Sequence, residues 1–488
     1  MILQNDKIKK YFYYFLLGFV LFIGFFVRTK LYINQNVFED DECRLALCII
    51  NTNLLSSFLP LGDAQSAPPL FILFSKILGN LFGYYEKVLK FIPYISGIFS
   101  MYFFYKISCK YLKNKFSILA ANYIFALSKP LIAFSSIFKQ YSSDVFLCLV
   151  CLYYLPNIKI KDLTFKQTVA LIVGLIILPL FSLPTLFFIG AFLLINLIEN
   201  LKNKSFYKKL ISIMLPFLFF LVTYYVFILN PEKAGLDVAF PNYWNDGFFA
   251  FSLKDFLRII IINLKFYFIP NSITLAEIIL LLSGVGMYCS KKERKFLFLN
   301  LVSLLVFVAA FLQLYPFVGR VALYFLPICI LYITKSLDVI SKKIFFVVLI
   351  LYLLGFCHYN FNYLKNISIY NYFVNYSPDS LVKIIKKNYN PQKDIILLNN
   401  ASAASYLFYS GKNNFFSENV YEMLVRKNEE DKAINYLNSL ENGHGYWIYM
   451  VKDYAKAQIF PLVLGWAKTE KVKQYYKEGE SYLLYIER

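Results

Sequence analysis

The sequence predicts a polytopic α-helical membrane protein of about eleven transmembrane helices, with helices along the outer (periplasmic) interface and a small C-terminal α/β domain. Three observations predict it. The 488-residue chain is 59% hydrophobic and 20% aromatic, with a mean hydropathy of +0.54, and its apolar residues come in long runs rather than in alternation. The 50 Lys and Arg exceed the 30 Asp and Glu to give a net charge of +20. These basic residues lie in short clusters between apolar runs, as in loops that face an anionic leaflet, which argues for a membrane and against nucleic acid as the partner. After Tyr359 the composition becomes that of a soluble domain.

A helical span needs roughly 17 to 25 mainly apolar residues. The candidates are 11–27, 88–107, 116–135, 142–156, 168–181, 184–199, 210–229, 272–289, 296–313, 320–334 and 344–358. The first follows Lys7, Lys9 and Lys10 without a small-residue cleavage site after it, so it reads as a retained anchor. A further apolar run, Pro69 to Gly83, leaves all lysine-rich connectors on one side only if it lies along the outer interface. Those connectors, 7–10, 106–115, 159–166, 202–209, 291–295 and 335–343, hold 21 Lys and Arg against 11 in the opposite loops. The positive-inside rule puts them and the N-terminus in the cytoplasm. The first loop (28–87), the 139–144 connector, a long loop (230–271), the turn 315–320 and the C-terminal domain then face the periplasm. The domains are 1–358, transmembrane and catalytic, and 359–488, α/β.

Within the first outer loop, Leu45, Leu47, Ile49, Ile50, Leu54, Leu55 and Phe58 repeat at helical spacing, so Asp41 to Leu59 reads as an amphipathic helix ended by Pro60. The second long loop carries Pro231, Gly235, Pro241 and Asn245-Asp246-Gly247 before an interfacial helix from Leu253 to Phe268, and Tyr243 and Trp244 suit the headgroup region. In the C-terminal domain, Ser377-Pro378-Asp379 starts a helix to about Lys387. Asp394 to Leu398 reads as a buried strand and Ala401 to Ser410 as a helix closed by Gly411. Tyr446 to Val451 and Tyr482 to Ile486 read as further strands.

The most acidic stretch, Phe38-Glu39-Asp40-Asp41-Glu42-Cys43-Arg44, follows the first span. An ionised carboxylate in hydrocarbon costs about 2.5 to 3.5 kcal/mol even on insertion scales, so this group must sit in water or line a wet cavity. Lys129, Lys139, Asp144, Glu277 and Arg320 gather at the outer ends of spans, while the interiors are nearly charge-free. That distribution fits a reaction on a lipid-linked substrate better than transport, which uses charges near the midplane. With only His358 and His444 and neither a nucleophile elbow nor a zinc signature, carboxylates are the remaining acid-base candidates. A sugar donor on a lipid phosphate has an anionic leaving group that needs cations more than a general acid, and Lys139 or Arg320 supplies one.

Asp41-Glu42-Cys43-Arg44-Leu45-Ala46 resembles the Asp-Glu-x-Arg-x-Ala element in the first outer loop of the C-type glycosyltransferases, in the protein O-mannosyltransferase and aminoarabinose-transferase-like group. Ala67-Pro68-Pro69-Leu70-Phe71 is similar to the group's Pro-Pro-Leu-aromatic element. Lys139-Gln140-Tyr141-Ser142-Ser143-Asp144 resembles its Arg-x-Tyr-x-x-Asp pattern with Lys for Arg, and Tyr315 to Arg320 followed by Leu323 to Pro327 resembles a late motif of bacterial members. The resemblance covers roughly residues 10 to 335 in order.

It implies a GT-C-like fold and an inverting transferase that takes a sugar from a polyprenyl-phosphate carrier. Asp41 is then the catalytic base, Glu42 and Asp144 shape the pocket, and Lys139 and Arg320 attend the phosphate, with Asp40, Arg44 and Tyr141 as further substrate contacts. The usual histidine near Ser182-Leu183-Pro184 is absent, so neither mannose nor a protein acceptor is carried over. The acceptor stays open among glycan, lipid and protein. No cofactor is implied, and Glu39-x-Asp41 alone is too small a donor set to name a metal site.

Each of these residues also has a structural reading. Asp40 to Glu42 are good caps for an amphipathic helix, Asp144 for the fourth span, and Lys139 and Arg320 are ordinary interfacial anchors. The function expected is transfer from the lipid-linked donor to an acceptor hydroxyl at the periplasmic face. The alternative is a surface-polysaccharide polymerase, ligase or flippase.

Overall fold

The computed structural model describes residues 2–239, 244–249, 252–268, 283–287, 293–336, 378–399, 402–423, 435–451, 463, 465–466, 472–478 and 481–488. The expected span 344–358, all of 272–289 except five helical residues, and Glu277, Tyr243 and His358 lie outside them. In chain order the helices are α1 (Ile2–Asn34), α2 (Asp40–Asn51), α3 (Pro69–Phe82), α4 (Glu86–Tyr111), α5 (Lys115–Ala126), α6 (Lys129–Phe134), α7 (Tyr141–Tyr154) and α8 (Phe165–Phe181). Then follow α9 (Thr185–Glu199), α10 (Lys204–Tyr224), α11 (Asn230–Ala239), α12 (Leu253–Tyr267), α13 (Arg294–Phe311), α14 (Leu326–Ser336), α15 (Pro378–Asn388) and α16 (Ala403–Lys412).

The chain divides into two compact units, residues 1–34 with 52–367, and residues 35–51 with 368–488. The acidic helix α2 is therefore grouped with the C-terminal residues, an exchange that a single cut at 358 does not contain.

The first unit is helical. Five of its described helical segments are long and apolar enough to cross a membrane: Lys10–Asn34, Glu86–Tyr111, Lys204–Val238, Arg294–Phe311 and Gly319–Ser336. In α1, Leu17, Val20, Val27 and Leu31 are buried while Phe12, Phe15, Phe19, Phe22 and Phe26 are exposed. A helix apolar on its outward face as well as its inward one belongs in hydrocarbon. The expected span 116–135 is broken into α5 and α6, because Pro130 in the first turn of α6 has no N–H for the Ala126 carbonyl and its ring would clash with it, and Ser128 turns out of the helical region at ψ 121°. The carbonyl that the break exposes, that of Ala126, accepts a hydrogen bond of 2.6 Å from the buried Arg28 guanidinium.

The expected loop from Asn230 is also displaced. Residues 225–229 form a π-turn, in which the Asn230 N–H bonds to the Tyr225 carbonyl, and the helix resumes as α11 to Ala239. Pro231 has no N–H to give, and here it falls in the first turn after the widened one, where the loss disrupts least. Similarly the amphipathic helix expected to reach Leu59 stops at Asn51; Asn53 and Ser56 then exchange side-chain-to-backbone hydrogen bonds of 2.7 Å around a short 3-10 turn.

Five of the basic connectors are tied to others of the set. Lys209 Nζ donates to the carbonyls of Lys161 and Leu163 at 2.7 and 2.8 Å, and Lys295 Nζ to that of Lys110 at 2.9 Å. Arg294 reaches Glu199 and the Pro156 carbonyl, and Lys335 pairs with Glu293 at 2.9 Å. The connectors therefore share one end of the first unit. The helices α4, α7 and α10 run between this end and the one that carries Lys139, Asp144 and Glu232.

The second unit holds a five-stranded sheet ordered β2-β1-β3-β5-β4, with β1 Asp394–Asn399, β2 Val420–Met423, β3 Gly445–Val451, β4 Val472–Glu478 and β5 Ser481–Glu487. β1 is parallel to β2 and β3, and β5 is antiparallel to β3 and β4. Leu397, Leu437, Tyr446, Ile448, Met450, Val463, Trp466, Leu484 and Ile486 form its core. The expected strands β1, β3 and β5 are present, and β2 and β4 are additional. Helix α16 spans Ala403–Lys412 rather than 401–410, so Gly411 lies inside its last turn.

Candidate functional site

In the first unit, small residues bring the site helices together. Gly97 on α4 faces α7 and its approach so closely that an added Cβ would stand 2.7 Å from the Ser135 Cβ. Ser96 and Ser143 hydroxyls meet at 3.2 Å. This close crossing, of the kind small residues permit, fixes α7, whose first turn carries Tyr141 and Asp144. Phe138, just before α7, stacks on Phe71 of α3 at 5.8 Å, which holds the Pro-Pro helix beside Lys139.

Lys139 Nζ donates to Gln65 Oε1 at 2.6 Å, and Gln140 Nε2 donates to the Ser66 carbonyl at 3.3 Å. Gln65 follows Asp63 and Ala64, whose φ of 52° and 51° place two non-glycine residues in the left-handed region, a costly conformation that persists only where its surroundings impose it. One imposing group is Glu232 on α11. Its carboxylate accepts from the Ser66 hydroxyl at 2.6 Å and the Leu61 N–H at 3.4 Å, and the residue is 7% exposed.

Asp144 is 5% exposed. The Ser182 side chain lies beside it, and its Oδ1 has no hydrogen-bond partner among the described residues. Tyr315 and Tyr324 are close enough to feel its charge, and Tyr224 feels both Asp144 and Glu232. The Arg320 guanidinium lies 5.7 Å from the Tyr141 ring centre. Arg320 follows a turn held by Asn263 of α12, which donates to the Phe317 carbonyl and accepts from the Gly319 N–H, both at 2.8 Å. Gly319 sits at φ 49°, a conformation that favours glycine.

In the second unit, Asp40, Asp41, Glu42 and Arg44 share α2. Glu42, fully buried, accepts the Glu39 N–H at 3.0 Å, and the Cys43 N–H bonds to the Glu39 carbonyl at 2.8 Å. Glu42 thus supplies the return half of a capping box. Arg44 Nε donates to Asp40 Oδ2 at 2.8 Å. Burial pushes the Asp40 carboxyl up to about 6, against the opposing pull of Arg44 and of the Ser405 backbone. Asp41 is half-buried and projects about 100° around the helix from Asp40.

The sequence-predicted residues therefore form two groups, Lys139, Tyr141, Asp144 and Arg320 in one unit and Asp40, Asp41, Glu42 and Arg44 in the other. Glu232, Gln65, Ser66 and Asn263 were not anticipated. Glu232 follows a proline in what reads as a loop, and Gln65-Ser66 carries only its position ahead of Ala67-Pro68-Pro69 as a signal. The buried Arg28, Lys76, Glu86 and Lys90 are further ionisable side chains that hydropathy did not single out. Among the described residues no group of three or more His, Cys, Asp or Glu is placed to hold a metal ion.

No protein-family model matches the sequence, and no curated protein matches it. Solved structures do. ArnT from Cupriavidus metallidurans in the apo state matches at 12% identity and a TM-score of 0.52, with 98% of each chain covered. ArnT of the same organism bound to undecaprenyl phosphate matches at 12% identity and a TM-score of 0.51, over 96% of this chain and 97% of that one. Over nearly its whole length the chain therefore shares the fold of these ArnT structures.

Proposed function

We propose that the protein is an inverting glycosyltransferase of the bacterial inner membrane, which moves a sugar from a polyprenyl-phosphate-linked donor to an acceptor hydroxyl at the periplasmic face. The observation that carries this reading is the gathering of Lys139, Tyr141, Asp144 and Arg320 at the end of the first unit away from the tied basic connectors. The positive-inside rule makes the connector end cytoplasmic, so the chain has its N-terminus inside, about eleven spans, and its site and C-terminal domain outside. Cytosolic nucleotide-sugars do not reach such a site, whereas a lipid-linked donor does. The likeness to ArnT, one of whose structures is bound to undecaprenyl phosphate, supports a polyprenyl carrier.

In this scheme the acceptor oxygen attacks the anomeric carbon from the face opposite the phosphate. The carbon–oxygen bond to the carrier breaks with its electron pair left on the phosphate, and Asp41 takes the acceptor proton. Lys139 and Arg320 stabilise the departing phosphate where a metal-dependent transferase uses a divalent cation. Asp144 orients the sugar, and Glu42 fixes the turn that presents Asp41. The acceptor is a hydroxyl of a glycan, lipid or protein.

Mass spectrometry of envelope glycans and glycolipids tests this. Cells lacking the protein should lose one glycosylated species, wild type should restore it, and Asp41→Asn should not. An unchanged profile in the deletion, or full restoration by Asp41→Asn, would remove the proposal.

A further inference from the structure

The C-terminal sheet has a topological switch point. From β1 the chain passes through α16 to β2 on one side, while β3 enters parallel to β1 on the other. In open α/β sheets the crevice outside the carboxyl ends of such strands is where ligands bind. Here residues from that crevice meet the acidic helix of the same unit. Ser402, after β1, donates to the Asn399 and Tyr449 carbonyls at 2.9 and 3.0 Å, which joins the ends of β1 and β3. Tyr449 of β3 meets the Ser405 hydroxyl at 3.3 Å and lies close enough to Asp40 and Cys43 to feel both. One turn further along α16, the Tyr409 hydroxyl accepts the Phe38 N–H at 2.8 Å, and Phe408 packs edge-on against Phe38 at 5.2 Å. Phe38 is fully buried.

We infer that the C-terminal α/β domain is the device that positions the acidic helix, with α2 occupying the crevice where a free-standing domain of this topology would hold a ligand. A helix of twelve residues is marginal by itself in water, so its docking through Phe38 and Asp40 is what keeps its first turn formed. Phe38, Phe408 and Tyr409 are positioning residues, and Asp40 and Arg44 pair along the docked side rather than serving the substrate. The docking stands on its own geometry. That the residue so presented, Asp41, is the base rests on the proposed function.

Hydrogen exchange of the full-length protein in lipid nanodiscs, read by mass spectrometry over residues 36–46, tests the docking. Phe38→Ala and Tyr409→Phe should each speed exchange there, by roughly tenfold or more for Phe38→Ala as the helix is released to fray, with β1 and β3 unchanged. Phe38→Leu should recover most of the protection and, in cells, most of the glycosylation. Asp41→Asn should leave exchange as in wild type. Unaltered exchange in both Phe38→Ala and Tyr409→Phe would overturn the inference whatever the glycan profile shows. Faster exchange together with an active Asp41→Asn would sink the catalytic reading and leave the positioning role standing.

Discussion

Glu232 and Asp144 lie at the same end of the first unit, are equally hidden, and are used in opposite ways. Both Glu232 oxygens are engaged, by Ser66 and by Leu61, whereas Asp144 keeps one buried oxygen without a partner among the described residues. A buried carboxylate whose acceptors are satisfied from its own chain is a strut. One that is left short, on the α7 turn whose Tyr141 ring lies against Arg320, is kept for something that arrives later. The difference separates fold from function within one polar cluster.

The sharpest way to break that contrast is Asp144→Asn. Transfer should fall by at least about a hundredfold, the scale of losing an electrostatic contact in a transition state. The melting temperature in detergent should hardly move, because no hydrogen bond to Oδ1 is lost. Normal glycan profiles would make Asp144 a helix-capping carboxylate and nothing more. Glu232→Ala should show the reverse emphasis, a loss of about 2 to 4 kcal/mol in thermal or chemical unfolding, since the Ser66 hydroxyl and Leu61 N–H are both orphaned. Glu232→Gln, which still accepts from Ser66, should recover more than half of it. A smaller change is expected of Asn263→Ala. It frees the 317–319 turn at a cost of about 1 to 3 kcal/mol and should weaken donor use through Arg320. An unchanged melting temperature would mean that the turn holds itself.

The contrast also marks what the sequence made legible. Hydropathy located the five described segments that are long and apolar enough to cross a membrane, because hydrocarbon imposes one requirement on every residue of a span, and lysine asymmetry identified the connectors that Lys209, Arg294 and Lys295 tie together. Asp144, Lys139 and Arg320 stood out as candidates because they gather at the outer ends of spans whose interiors are nearly charge-free. Glu232 was not, because Pro231 signals a helix stop and the π-turn that absorbs it has no sequence signature. The alliance of α2 with α16 was equally hidden. It depends on a hydrogen bond and a ring contact between residues some 370 positions apart, which periodicity within a window does not register. The Asn51 helix end was misplaced for a related reason: apolar residues continue at helical spacing to Phe58, but Asn53 and Ser56 offer their backbone a better local arrangement.

The smallest expected effect concerns Asp40, and its sign is set by burial. The docked carboxyl titrates at about 6 against an ordinary 3.8, so ionisation opposes docking. The contribution is fully present below about pH 4 and is lost as pH rises through about 6. The groups that face Asp40 are Arg44, Asp41, the Ser405 N–H and Tyr449. Arg44 stays charged throughout, and Tyr449 stays neutral, its hydroxyl held up by burial, so Asp40 is the group that burial moves into this window. Exchange over residues 36–46, corrected for the intrinsic pH dependence of amide exchange, should therefore be slower at pH 5 than at pH 7.5. The change should be about tenfold or less, because local relaxation absorbs much of a burial penalty. Asp40→Asn should remain docked and flatten the profile, since the amide carries no charge to desolvate. If the slope persists in Asp40→Asn, the burial of Asp40 is not what makes docking depend on pH, and this reading of the acidic helix fails.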